Sequence, residues 1–167
     1  MHEIETARLQ LRPIAVTDLD AIHALWIDQE VRRYLWDDEI IARQVAADVI
    51  ERSQAQFRDH GHGLWLARRP EAEAIVGFCG FWHFHEPPQL ELLYGLAPSH
   101  WGRGLATELA VVLLRHGFEV LGFDTIIAST DAPNLASARV MERAGMQFQR
   151  RETLDGKDTV FYISRRS

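Results

Sequence analysis

The sequence predicts an α/β fold built on a mixed sheet of about seven mostly antiparallel strands, with about four helices spread over both faces. Three observations carry that expectation. The apolar runs Leu64–Ala67, Ile75–Phe84 and Glu91–Leu96 follow one another across hairpin-length connections, which sets them antiparallel. A mostly apolar helical stretch, Leu105–Gly117, then separates Glu91–Leu96 from the next apolar run, Thr125–Thr130, and a helical crossover makes those two strands parallel. Between strand and helix lies Trp101-Gly102-Arg103-Gly104-Leu105-Ala106-Thr107-Glu108, whose small residues alternate at 102, 104 and 106.

Taken in order, Arg8–Pro13 alternates apolar and polar residues and reads as a first strand that Pro13 ends. Thr17 or Asp18 then caps a helix running to about Asp28. A second helix spans about Ile40 to Phe57, where Ala42, Ala46, Val49, Ile50 and Phe57 share one face, and Asp59-His60-Gly61-His62-Gly63 breaks it. The hairpin Leu64–Ala67 and Ile75–Phe84 turns at Arg69-Pro70-Glu71-Ala72-Glu73, and Pro87 and Pro88 close its second strand. Pro98 and Ser99 end Glu91–Leu96, and Gly122 stops the crossover helix. A last helix from Asn134 to Gly145 precedes two strands, near Met146–Glu152 and Val160–Ser164, around the turn Asp155-Gly156-Lys157.

The 167 residues suit a single domain, 1–167, large enough for a real core. A net charge of −6 and a pI near 5.7 argue against a nucleic-acid partner, which would need a basic face. No apolar run approaches a membrane span, so no membrane partner is expected. One cysteine, Cys79, forms no intrachain disulfide, and a cytoplasmic location is the default. Cys79 lies in the apolar run Val76–Phe81 and reads as packing. His60 and His62, like His83 and His85, could each put two imidazoles on one side of an extended chain, but no Cys or carboxylate cluster completes a metal set. No metal is expected.

A strand, a short glycine-bearing loop and a helix start together make an anion site, because the first helical turn offers free N–H groups and partial positive charge. Three kinds of phosphate loop compete for residues 101–108. The Walker loop needs Lys and Ser/Thr after its second glycine, and no such string exists here. The dinucleotide fingerprint needs a glycine where Thr107 stands, and Asp124, twenty residues after Gly104, precedes the next strand instead of following it. The third is the acyl-CoA loop of the GNAT N-acetyltransferases, Gln/Arg-x-x-Gly-x-Gly/Ala, which Trp101–Ala106 resembles at every position but the first. A second segment, Asn134-Leu135-Ala136-Ser137-Ala138-Arg139-Val140-Met141-Glu142-Arg143-Ala144-Gly145-Met146, resembles that family's later signature. Trp101 in the first loop position is similar to the branch that includes the ribosomal-protein N-terminal acetyltransferases.

The resemblance implies a GNAT-like fold whose central parallel strands splay apart to admit the pantetheine arm. It implies acetyl-CoA as co-substrate and an amine acceptor, either a protein or peptide N-terminus or a small molecule. On this reading Trp101, Gly102, Arg103, Gly104, Ala106 and Thr107 hold the pyrophosphate, although Arg103 also reads as a solvated loop residue. The backbone from Leu93 to Leu96 pairs with the pantetheine amides and supplies an oxyanion donor. Asn134 binds the cofactor, a role compatible with capping its helix.

Proton management rests on three residues. Glu91 is the candidate base, directly or through water, or else a strand-edge carboxylate in solvent or in an ion pair. Much of the family carries a tyrosine acid where Met141 stands, so Ser137 is the substitute, though a serine there also caps backbone. Tyr94 is the reserve acid. His83 and His85, with Trp82, Phe84 and Glu86, border the acceptor site, and the linker Tyr34-Leu35-Trp36-Asp37-Asp38-Glu39 forms its other wall. The acids of that linker either attract a cationic amine or begin the second helix. A non-catalytic acyl-CoA-binding module is the alternative function. Family members often form homodimers, and no stretch of this chain identifies such an interface.

Overall fold

Ile4–Glu5 (β1) is too short to carry a period, yet it pairs antiparallel with Gln10–Pro13 (β2) and adds an eighth strand to the expected seven. The computed structural model describes residues 2–85 and 87–167, so Glu86 lies outside the described residues. After β2 come Leu19–Ile27 (α1), the four-residue Gln29–Arg32 (α2) and Arg43–His60 (α3). Asp18 does not cap α1 through its side chain. It accepts from the Ala15 N–H at 2.8 Å and forms a two-pronged pair with Arg12, both contacts at 2.7 Å. Helix α3 starts later than its sequence suggests and ends at Gly61, whose left-handed φ of 78° lets the chain turn away.

The strands Leu64–Arg68 (β3), Ile75–Phe84 (β4) and Gln89–Leu96 (β5) form the antiparallel run. Leu105–Glu119 (α4) crosses to Thr125–Asp131 (β6), and Leu135–Arg143 (α5) leads to Gln147–Leu154 (β7) and Lys157–Arg165 (β8). The spatial order is β1-β2-β3-β4-β5-β6-β8-β7, and β5–β6 is the parallel pair. Their register rests on one point, Glu91 opposite Ile127. Beyond that point toward Leu96 the edge of β5 that faces β6 carries no strand among the described residues.

Period-two alternation sorts β5 between two cores. Leu92 and Leu96, with Tyr94 against them, pack with Leu105, Leu109 and Leu113 of α4. Leu93 packs into the opposite cluster, built from Ile22, Leu25 and Trp26 of α1, Val49 and Ile50 of α3, and Phe78 and Trp82 of β4. Glu91 shares the parity of Leu93, so it faces the α1–α3 side. Among the described residues no helix is long and apolar enough to cross a membrane.

Close backbone approach fixes the sheet at Gly80, where a β-carbon would meet the Gly63 carbonyl oxygen at 2.1 Å. That oxygen cannot swing away, because it accepts from the Phe81 N–H at 3.1 Å. Gly80→Ala is therefore expected to cost about 3 kcal/mol in denaturant unfolding. Gly156→Ala, whose site is open and whose φ of 77° is the sole obstacle, is expected to cost about 1 kcal/mol.

His62 gives the fold a sensitivity to acid. Its ring is buried between Phe81 and Phe123, and burial first, then the nearby His60 and His83, lowers its pKa from 6.5 to about 4. Between those two values the unfolded chain binds a proton that the folded one refuses, so His62 takes stability away as pH falls through that window. His62→Phe is expected to flatten the fall in Tm between pH 6.5 and about 4 relative to wild type.

Candidate active site

The loop between β5 and α4 shows why its glycines are where they are. Gly102 and Gly104 both adopt left-handed backbone, with φ of 75° and 76°, which glycine takes without strain. No acceptor among the described residues takes the backbone N–H groups of Gly102, Arg103, Gly104, Leu105, Ala106 or Thr107. Helical bonding starts only with the Glu108 N–H, which donates to Gly104 at 3.1 Å. Unpaired amides at a helix start suit a pyrophosphate.

The loop is fastened from both ends. The Trp101 indole donates to the Leu96 carbonyl at 3.0 Å, tying the loop to the end of β5. On the far side Arg8 donates to the Arg103 carbonyl at 2.8 Å and to Glu108 at 2.8 Å through Nε, while its own backbone N–H reaches Glu108 at 3.0 Å. Thr6 also donates to Glu108. Burial pushes the Glu108 carboxyl up, but the hydrogen bonds from Thr6 and Arg8 outweigh it and hold the group below its usual range. A carboxylate in the first turn would repel an anion at the loop, and Arg8 neutralises it. This clasp has no local sequence signal, because its partners lie about a hundred residues apart.

Tyr94 and Ser137 meet on the α4–α5 side of the gap. The Tyr94 hydroxyl donates to the Ser137 carbonyl at 2.9 Å and lies 2.9 Å from Ser137 Oγ. With the phenol proton on the carbonyl, the serine hydroxyl is the donor to the phenol oxygen, and it must rotate off that oxygen to donate elsewhere. Burial pushes the Tyr94 phenol up to about 12, so it stays neutral. Asn134 caps α5 by accepting from the Ser137 N–H at 3.3 Å, and its amide donates to Thr130 at 3.1 Å. The cap fixes the first turn of α5 and hence the Ser137 side chain.

Glu91 belongs to the other face. It is not a strand-edge carboxylate in solvent: it is 1% exposed and bonded at both oxygens. Ser129 of β6 donates to Oε1 at 2.5 Å, and Gln89 donates to Oε2 at 3.0 Å. His85 Nε2 also meets Oε2, at 2.9 Å, and lies 3.4 Å from Ser129 Oγ. His85 has a φ of 70°, so the chain at the end of β4 is not extended and does not align His83 with His85. Gln89 lies two residues before Glu91 on the same strand face, but Ser129 and the inward turn of His85 have no signature in the sequence. Only proximity to Glu91 in the folded sheet identifies them.

The acceptor-side linker also departs from expectation. Asp38 and Glu39 do not begin α3. Trp36, Asp37 and Asp38 instead form a turn with φ of 57°, 53° and 61°, a left-handed run rare for residues with side chains. Asp37 pairs with Lys157 at 2.6 Å and Asp38 with Arg32 at 3.3 Å, so two of the three acids already have cationic partners. Trp36 packs against Trp26 at 5.5 Å between ring centroids. Cys79 is buried, as expected of a packing residue, and burial raises its thiol far above the usual range.

This geometry has counterparts. A family model described as an acetyltransferase (GNAT) domain matches residues 8–147. An uncharacterized N-acetyltransferase of Bacillus subtilis, YoaA, is 30% identical over 145 residues, which cover 86% of this chain and 82% of that protein. The crystal structure of an acetyltransferase from Agrobacterium tumefaciens superposes with a TM-score of 0.85 at 26% identity, covering 98% of this chain and 94% of the other. RimL, a ribosomal L7/L12 alpha-N-protein acetyltransferase solved in complex with coenzyme A, shares the fold with a TM-score of 0.81 at 16% identity. That alignment covers 98% of this chain and 97% of RimL. The match over most of the chain, together with the parallel β5–β6 pair and the glycine loop that follows β5, decides the matter: this protein belongs to the GNAT family of acetyltransferases.

Proposed function

We propose that the protein is an acetyl-CoA-dependent N-acetyltransferase that passes acetyl directly to a primary amine, with residues 1–167 acting as one catalytic domain. The observation that carries this reading is the run of unpaired N–H groups from Gly102 to Thr107, set beside the open edge of β5. In this reading the amides of residues 102–107 take the pyrophosphate, and Arg103 adds charge at the rim. The β6-facing edge of β5 from Leu93 to Leu96, where Trp101 already holds the Leu96 carbonyl, takes the pantetheine amides as another strand would. A thioester held there needs little activation, so the protein's task is orientation and control of protons.

The two faces of the sheet divide that task. Glu91 lies on the α1–α3 side, where an ammonium arriving from that face meets buried negative charge. Tyr94 and Ser137 lie on the α4–α5 side, where sulfur departs. A phenol held near 12 is too weak an acid to protonate a thiolate fully, since thiols titrate at about 8.5. The hydroxyl pair instead stabilises developing charge on sulfur, with Ser137 as donor and Tyr94 orienting it. The acceptor is a protein or peptide N-terminus or a small-molecule amine.

Calorimetric titration with acetyl-CoA tests the donor site. Wild type is expected to bind in the micromolar range, and Gly104→Val to bind more than about tenfold more weakly, because valine resists left-handed backbone. Absence of binding by wild type would overturn the reading. With an amine that turns over, Ser137→Ala is expected to lower kcat by about ten- to a hundredfold, the worth of one hydrogen bond to a charged group. Tyr94→Phe is expected to cost less, since it removes only the support of that donor.

A further inference from the structure

We infer that His85, not Glu91, is the group that takes the proton from the acceptor amine, and that Glu91 and Ser129 position it. The inference rests on the N-acetyltransferase reading above. Three observations on the acceptor face lead to it. First, Glu91 is fully engaged: Ser129 holds Oε1, Gln89 and His85 hold Oε2, and only 1% of the residue reaches the surface. An amine would have to displace one of these donors to reach the carboxylate. Second, the His85 side chain is 25% exposed, and of the half-buried groups that touch Glu91 it is the one whose nitrogen can take a proton. Third, His85 holds a left-handed φ of 70°, a costly conformation for a residue with a side chain, at the point where β4 ends. That turn carries its ring over β5 to Ser129 on β6 and against Phe161 of β8, 5.5 Å between centroids.

The contacts assign the two ring nitrogens. Nε2 lies 2.9 Å from a carboxylate oxygen, so in the neutral ring Nε2 carries the hydrogen and Nδ1 carries the lone pair. Nδ1 has no hydrogen-bond partner among the described residues. An ammonium N–H bond breaks and an Nδ1–H bond forms, leaving the lone pair on the amine nitrogen. The imidazolium that results is held by the Glu91 carboxylate behind it. The amine attacks the thioester carbonyl, a C–N bond forms, the C–S bond breaks, and the thiolate leaves toward Ser137. The amide nitrogen sheds its second proton, which balances the thiolate, and the exposed edge of His85 returns the first proton to solvent. Glu91 alone offers no such exit.

The test is the pH dependence of turnover at saturating acetyl-CoA, with spermidine and an alanyl tripeptide as probe amines. Variants are His85→Ala, His85→Gln, Glu91→Gln and Ser129→Ala, each checked for acetyl-CoA binding by calorimetry. His85→Ala is expected to lower kcat about a hundredfold to ten-thousandfold, the usual worth of a general base, and to lose the acidic limb of the profile. Acetyl-CoA affinity is expected to stay within threefold of wild type, and added imidazole to restore activity to His85→Ala but not to Glu91→Gln. Glu91→Gln and Ser129→Ala are expected to lower kcat while keeping the acidic limb. His85→Ala turnover within threefold of wild type, or loss of the limb in Glu91→Gln with no imidazole rescue of His85→Ala, would return the base role to Glu91. Wild type that binds acetyl-CoA and turns over neither amine would overturn the acetyltransferase reading itself, and this inference with it.

Discussion

One register point governs the molecule. β5 and β6 run parallel and touch at Glu91 and Ile127, and from there the two strands have separate neighbours. Parallel strands joined by a helix need a crossover, and α4 is that crossover. Its start therefore falls at the C-terminal end of β5, next to the opened edge. The unpaired amides of residues 102–107 and the open β6-facing edge of β5 are two results of the same topological event. Glu91 sits at the last shared position, so its carboxylate is buried by both strands and bonded by residues from either side of the seam.

The donor half was legible because its determinants are local. Glycines at 102 and 104, a strand before them, a helix after them and an asparagine at the next helix start all act within a few residues of themselves. The predicted Ile75–Phe84 strand matches the observed one, and the crossover helix ends two residues beyond its expected limit. The proposed roles along the loop rest on the same local logic. The acceptor half resisted reading for the opposite reason. Glu91 is buried where Ser129, Gln89 and His85 converge on it, and of those meetings sequence spacing encodes only that with Gln89, two residues away on the same strand. His85 was grouped with His83 on the assumption of an extended chain, which its left-handed backbone removes. Asp38 and Glu39 looked like helix-start acids, but a left-handed turn intervenes and α3 begins only at Arg43. Ile4–Glu5 is simply too short to announce itself.

The clasp of Thr6, Arg8 and Glu108 connects the first strands to the donor loop. A helix start rich in unpaired amides benefits from an anion, and Glu108 stands in its first turn as a competing one. Arg8 resolves that competition by pairing with the carboxylate while also holding the Arg103 carbonyl. The loop is thereby braced by the β1–β2 turn, and Trp101 braces it against the end of β5. Neither brace uses the amides themselves.

The sheet also separates the two halves of the proposed chemistry into independent compartments. Residues that would recognise the thioester donor hang from α4, α5 and the loop between β5 and α4. Those that would meet the acceptor stand on the opposite face, at the end of β4, on β5 and on β6. On the proposed reading, substitutions on the acceptor face would reshape which amine enters while leaving the donor cradle untouched. A chain built this way can change clients without changing its currency, and its kinship will be written in the donor half while its individuality is written in the other.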